Sequence, residues 1–485
     1  MVFSSIPFLF FFFPLFLILY YASPYKYKNI ILLIFSLIFY AWGEPIYILL
    51  MIFSSLVDYI NGKNIEKYQN DRKKKRFFLI LSIMINLGLL GFFKYADFLI
   101  DIINSILNVD IPLLRLGLPI GISFYTFQTM SYVIDVYRGT VRAEHSYSNY
   151  MAYVSMFPQL IAGPIVRYED VAKELKHREI TFSKFCEGLL RFMRGLFKKV
   201  LIANNVGYLF AIISTMTTGE MSVLSAWLGI IAFTFQIYFD FSGYSDMAIG
   251  MGKMIGFTYL ENFDHPYISK SITEFWRRWH MSLSTWFKDY VYIPLGGSKV
   301  SRIINIRNIL IVWMLTGLWH GASLNFVLWG LYYGIVLILE KFILKKYIDK
   351  LPNSLKHIYT LILILMGWLI FAFDDISKLQ SFAKIMFGFG NVPFINSDFI
   401  YYFENYFIIL VISALFSMPI YSKIKEYLKK IRFPKTLFVV VLVTYVLLFI
   451  VTISYLVNDT YNPFLYFRFW GELWKKVIIK LLHVY

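Results

Sequence analysis

Cysteine is all but missing from this sequence: Cys186 is the only one in 485 residues. No intrachain disulfide and no cysteine-rich metal site can form. Charge is scarce as well. Only 16% of the residues are Asp, Glu, Lys or Arg, against about 25% in soluble domains, and a mean hydropathy of +0.61 leaves no polar shell for a water-facing surface. Length alone suggests roughly three soluble domains of ~150 residues, but the apolar material runs from end to end. These shortages exclude a disordered chain, a disulfide scaffold and a nucleic-acid-binding module. What the chain has instead is apolar bulk, 58% hydrophobic and 20% aromatic, so its solvent is lipid.

Negative charge is the rarer sign, and the net charge is +17. In a membrane protein such an excess belongs to cytoplasmic loops and anionic headgroups. No basic residue precedes Lys26, so the first apolar stretch lacks the charged start of a secretory signal and reads as a retained span with its N-terminus outside. Lys26 and Lys28 follow it; residues 62–76 carry seven basic and two acidic residues, and residues 421–435 six and one. Basic residues Arg468, Lys475, Lys476 and Lys480 fall outside by span counting, unless the tail is an interfacial helix or the count is off by one.

Candidate spans lie near 5–22, 29–42, 46–61, 77–94, 116–136, 149–163, 201–215, 223–250, 308–319, 324–340, 358–373, 401–420 and 436–457. Residues 149–163 and 308–319 fall short of the ~20 needed to cross alone. Such partial segments are tolerated where protein buries them or a cavity is lined. No internal repeat is visible, which disfavours the inverted-repeat transporters. The chain reads as one membrane-embedded domain over 1–485, with N-terminal spans (1–110), a core (111–345) and C-terminal spans (346–485).

Residues 305–346 run basic, apolar, turn, apolar, basic. With both basic ends in the cytoplasm the tip of the hairpin is His320, and a twelve-residue arm of roughly 18 Å leaves it inside the hydrocarbon depth. An ionisable residue there is a functional hypothesis by default, and imidazole exchanges protons near neutrality. Gly317 and Gly321 flank it and permit a tight turn or a close approach. A structural histidine bonded between helices is the bland reading.

Ser271-Ile-Thr-Glu274 has the form of a capping box. Trp276, Trp279, Leu283, Trp286 and Tyr290 then recur at helical steps, predicting an amphipathic interfacial helix over 271–293. His280 at its edge is a second catalytic group or an interfacial brace. The Pro294-Leu-Gly-Gly297 turn could hold a phosphate-bearing ligand. In the span around 223–250, Gln236, Asp240 and Gly243 share one helical face, where Asp240 either orients a histidine or substrate hydroxyl or pairs with an arginine to lock helices. Asp246 points elsewhere. Gln128 and Asp135 interrupt another apolar run, and Pro158 and Pro164 break the 149–163 stretch. Trp319, Trp279, Gln128 and Asn325 join Asp240 and Gln236 as candidate lining residues. There is no HExxH, no GxSxG elbow and no GxGxxG fingerprint, and nothing points to a metal.

Six strings, in this order and spacing, resemble the membrane-bound O-acyltransferase (MBOAT) family, in particular its alginate O-acetyltransferase-like bacterial branch. They are Phe157-Pro-Gln-Leu-Ile-Ala-Gly-Pro164, Phe239-Asp-Phe-Ser-Gly-Tyr-Ser-Asp246, Glu261-Asn-Phe-Asp-His-Pro-Tyr267, Phe275-Trp-Arg-Arg-Trp-His-Met-Ser-Leu-Ser-Thr-Trp286, Asp289-Tyr-Val-Tyr-Ile-Pro-Leu-Gly-Gly297 and Leu315-Thr-Gly-Leu-Trp-His-Gly-Ala322. Pro463-Phe-Leu-Tyr-Phe-Arg-Phe469 is similar to the family's terminal signature.

The resemblance implies an all-α polytopic fold of roughly 11–14 transmembrane, re-entrant and interfacial helices around a central funnel or tunnel, in a bacterial inner membrane. It implies His320 as the catalytic histidine and His280 as its second histidine. It further implies acetyl transfer from a cytoplasmic donor, acetyl-CoA foremost, with no bound cofactor. The acceptor is an extracytoplasmic polysaccharide or peptidoglycan, reached through an SGNH-type acetyltransferase partner. D-alanyl transfer to teichoic acids, a glycan transporter or export subunit, and a scaffold for an extracytoplasmic enzyme are the competing readings.

Overall fold

In the computed structural model the described residues are 1–160, 163–420, 434–458 and 461–463, with the single positions 424 and 465. Among them the chain is helical with no strand, and eight helices are long and apolar enough to cross a membrane: Arg72–Leu107, Phe182–Thr215, Val223–Met254, Arg302–His320, Leu324–Ile348, Asn353–Ala372, Ser397–Phe416 and Val439–Asn458. The protein is therefore an all-α polytopic membrane protein. The basic C-terminal tail, the terminal signature beyond Pro463 (Leu465 apart), most of the 421–435 loop and positions 161–162 of the Phe157–Pro164 string lie outside the described residues.

The chain divides into two compact units. The first comprises Met1–Phe192, Tyr244–Leu260 and Phe464–Tyr485; the second comprises Met193–Gly243 and Glu261–Pro463. In the first, rings of Phe8, Phe12, Phe16, Phe35, Phe39 and Phe157 stack edge and face into one aromatic core. One buried polar cluster is matched internally: Asp58 accepts from Ser82 Oγ at 2.5 Å and from Asn86 Nδ2 at 2.8 Å, and Asn86 Oδ1 accepts from Ser54 at 2.7 Å. The expected 149–163 segment is a helix Tyr147–Ser155 followed by a single turn, Phe157–Leu160. The Phe157 amide leaves the helix to donate to Ser36 Oγ at 3.1 Å, which marks the break.

The second unit is organised by the hairpin Arg302–His320 and Leu324–Leu339, the latter continuing through a π-helical turn, Glu340–Leu344. A Cβ at Gly317 would run into the Phe326 carbonyl, and one at Gly321 into the Phe326 ring. Gly317 thus lets the helices touch backbone to backbone, the close-approach device common in membrane bundles, while Gly321 leaves room for the Phe326 ring. One expectation changes here. The first arm starts at Arg302, not Asn308, and its 19 residues span roughly 28 Å, enough to cross on its own. The early polar residues are absorbed because Asn305 and Asn308 donate to the Gly297 and Leu295 carbonyls at 2.8 and 3.0 Å. The outlying helices Ser397–Phe416 and Val439–Asn458 bury only 6% of their apolar windows. Residues such as Phe407 and Ile408 therefore face lipid.

Gly317→Ala is expected to push the hairpin apart and cost about 1–3 kcal/mol. Thermal unfolding in detergent checks this, and an unchanged midpoint contradicts the close approach.

Candidate active site

The amphipathic segment is built differently from the continuous helix its periodicity predicts. Ser271 caps the start as expected, its Oγ accepting from the Glu274 amide at 3.0 Å. The helix Ile272–Arg278 then stops, and a second helix, Met281–Phe287, begins after a break at Trp279–His280. His280 has a φ of +42°, left-handed backbone that a non-glycine residue adopts only when its surroundings impose it. The aromatic stripe is not laid on a membrane surface either. Trp276, Trp279, Leu283, Trp286 and Tyr290 are all buried in protein. Trp276 sits among Trp313, Trp329 and Tyr333, with centroids 4.7–5.5 Å away, and Trp279 lies 4.8 Å from Trp368.

The first turn of this segment is held from another helix. Glu340, 4% exposed at the end of Leu324–Leu339, accepts from the Ile272 amide at 2.7 Å and from the Thr273 amide and hydroxyl at 2.9 and 2.8 Å. A buried carboxylate at a helix N-terminus satisfies orphan amides and the helix dipole together. The π-helical turn that starts at Glu340 is an insertion often found at functional positions.

His280 and His320 line one cavity of about 640 Å³. Ile309, Val312, Thr316 and His320 contribute to its wall at three- and four-residue steps. The cavity therefore follows one face of the Arg302–His320 helix for roughly 16 Å. His320 marks one end, and Lys341, Lys345 and Asp349 lie along the other. Exposed Arg277 and Lys288 line it too, so cations outnumber carboxylates around it. His320 closes the first arm of the hairpin, its ring 5.0 Å from Trp329 and 5.2 Å from Phe371, both edge-on. Trp319 stands at 5.0 Å from the His320 ring and 5.8 Å from that of His280. His280 is 2% exposed, with Phe241 edge-on at 4.6 Å. It lies outside the candidate spans. Burial first, then the nearby charge of His320, push its imidazolium well below the usual histidine range. It is held neutral at physiological pH.

The other residues singled out in the sequence are placed elsewhere. Trp279 lines the cavity, and Trp319 backs both imidazoles. Asn325, fully buried, accepts from Ser323 Oγ at the start of its helix and is not part of the cavity wall. The shared face of Gln236, Asp240 and Gly243 is real, but it packs on the 193–215 stretch of helix. Gln236 covers Gly207, Asp240 pairs with Lys199 Nζ at 2.6 Å, and Gly243 lies against the Gly195 carbonyl. Asp240 therefore locks helices, with a lysine where an arginine was expected. Gln128 is fully buried in the first unit, within the helix Ile122–Arg138. The Gly296–Gly297 turn commits both amides internally, to the Ile293 and Tyr292 carbonyls at 2.9 Å, so those glycine N–H groups are unavailable to a phosphate. Sequence reasoning missed Phe241, Asn262 and Glu340. A lone acid ending the apolar 324–340 run was the signal for Glu340; Asn262 stood in a quoted string without a role.

A helical membrane protein that brings two histidines to the wall of one cavity has the outline of a membrane-embedded group-transfer enzyme. Residues 48–379 match the model of MBOAT, the membrane-bound O-acyltransferase family. The probable alginate O-acetylase AlgI of Pseudomonas aeruginosa is 45% identical over 398 residues, covering 80% of this chain and 75% of that protein. The peptidoglycan O-acetyltransferase of Helicobacter pylori is 35% identical over 402 residues, 77% of this chain and 76% of that one. The teichoic acid D-alanyltransferase of Bacillus subtilis shares 29% over 233 residues, 46% of this chain and 59% of its own. The chain belongs to the MBOAT family and is an O-acyltransferase.

Two variants separate scaffold from chemistry. Asp240→Ala removes the counter-charge of a buried lysine, leaving it only the Pro463 carbonyl, and is expected to destabilise by about 3–5 kcal/mol, while Lys199→Met combined with Asp240→Leu recovers most of the loss. Thermal melts of the three proteins check this, and an Asp240→Ala protein that melts with the wild type contradicts the lock. Glu340→Ala orphans the buried Ile272 amide and the half-buried Thr273 amide and is expected to cost about 2–3 kcal/mol; faster proteolysis within 270–280 is its readout.

Proposed function

We propose that the protein passes an acetyl group from a cytoplasmic thioester donor, acetyl-CoA, across the inner membrane for O-acetylation of an extracytoplasmic polysaccharide or peptidoglycan. The observation that carries this reading is the single channel shared by His280 and His320, with Lys341, Lys345, Arg277 and Lys288 around it. Cations on the basic-inside side of the hairpin suit the phosphates of a donor such as coenzyme A. The aromatic walls around His320 suit the apolar thioester end.

In this reading His320 takes the proton of the accepting hydroxyl as its oxygen attacks the thioester carbonyl. The C–S bond then breaks, and the leaving thiolate recovers the proton from the imidazolium. His280, held neutral beside it, completes the site. The accepting hydroxyl belongs either to the glycan or to a serine of an SGNH-type partner. Acetylation-type relatives that span three quarters of this chain or more favour acetyl over D-alanyl as the group moved.

His320→Ala is expected to lower transfer of labelled acetyl from acetyl-CoA by at least 100-fold, with protein level and melting unchanged. Retained glycan O-acetylation in cells carrying that variant would sink the assignment. Polymer movement without acetyl transfer would favour an export subunit instead.

A further inference from the structure

Asn262 is 1% exposed, and its carboxamide meets the turn that carries His280. The Oδ1 atom lies 3.1 Å from His280 Nδ1, 2.9 Å from Ser282 Oγ and 3.3 Å from the Ser282 amide nitrogen. A backbone N–H can only donate, so the atom facing it is the oxygen of the carboxamide and not its nitrogen. An oxygen can only accept, so His280 Nδ1 must carry the hydrogen. The Asn262 carbonyl also accepts from the Met281 amide at 2.9 Å. One residue therefore pins the backbone on the far side of His280, where φ is +42°, and one nitrogen of its ring. Phe241 and Trp319 confine the imidazole further. The remaining nitrogen, Nε2, is buried and has no hydrogen-bond partner among the described residues.

We propose that Asn262 is a positioning residue for acyl transfer: it fixes His280 as the Nδ1–H tautomer, so that the ring offers the reacting groups a lone pair at Nε2 and not an N–H. The logic is that of an orienting partner behind a catalytic imidazole, which sets both the tautomer and the angle of the ring. The inference rests on the reading of the two histidines as the transfer site.

The electrostatic surroundings agree with a neutral ring. Across the cavity stands His320, and Arg277 and Lys288 come from the segment of His280 itself. The Leu324–Ile348 helix brings Lys341 and Lys345 with Glu340, and Glu340 is already engaged by Ile272 and Thr273. In the loop of Asn262, Asp264 is paired with Arg278 at 2.7 Å and lies next to His265 at 3.2 Å. Tyr238, from the Val223–Met254 helix, packs on Trp279. No carboxylate forms an ion pair with His280 among the described residues.

The test uses the full-length protein in detergent, with acetyl-CoA as donor and rates per folded molecule. Asn262→Ala is expected to lower kcat roughly 10–100-fold with donor KM within about twofold. Asn262→Asp keeps the acceptor and adds a charge. It is expected to retain kcat within about tenfold and to move the acidic limb of the pH–rate profile up by about one unit or more, because the carboxylate favours the imidazolium. A purely structural asparagine predicts that the two variants are alike and that the pH limb stays in place, and either result overturns the proposal. Nitrogen NMR of labelled histidine reads the tautomer without relying on the donor, with the His280 signals identified by their loss in His280→Gln. Protonated Nδ1 is the expected result, and protonated Nε2 overturns it. If His280→Ala and His320→Ala both retain transfer, the site reading itself falls. If they abolish it while the Asn262 variants behave as wild type, only this inference does.

Discussion

Inside hydrocarbon no water completes a hydrogen bond, so every buried polar group must find its partner in the protein. That constraint orders the rest of this molecule. It turns the chain into helices, whose amides and carbonyls satisfy one another, and it favours partners for the buried charges and carboxamides. Asp58 with Ser82 and Asn86, Asp240 with Lys199, Glu340 with Ile272 and Thr273, and Asn262 with His280 and Ser282 are four answers to one problem. Three of them sit in the unit that carries the histidine channel.

The channel depends on two kinds of irregularity. The hairpin needs small residues, since Gly317 and Gly321 remove the side chains that would hold its helices apart. The Ile272–Phe287 segment needs a break, since a continuous helix would carry His280 past the cavity along a regular spiral. Glu340 fixes the near end of that segment, and Asn262 fixes the break. The two histidines are thus held by elements remote in sequence, and pre-organisation of this sort would let an imidazole act without first being ordered by substrate.

Much of this was legible. Composition alone placed the chain in lipid, and the basic–apolar–basic pattern of 305–346 gave the hairpin and its tip. The Ser271 cap and the common face of Gln236, Asp240 and Gly243 follow from spacings of three and four, which are local rules. The rest was set by partners far along the chain. The left-handed backbone at His280 has no local signature, because it is imposed by Asn262 eighteen residues away. Lys199 could not be matched to Asp240 by any periodicity. The arm of the hairpin looked too short because Arg302, Asn305 and Arg307 resemble loop residues, although the Asn305 carboxamide is absorbed by the Gly297 carbonyl. Patterns report which face a residue occupies; they do not report what waits opposite.

The ion pair between Lys199 and Asp240 also constrains how the protein is made. Each charge sits on a separate apolar helix, one within Phe182–Thr215 and the other within Val223–Met254, and both are almost wholly shielded. Delivered singly from the translocon, either helix would carry a naked charge into the bilayer core. Held until its successor emerges, the first helix can leave the translocon already neutralised. The short 216–222 connection between them keeps the two within reach during synthesis. The pair thus favours release of the two helices together, so that a contact between neighbours in the fold bears on the order in which they are made.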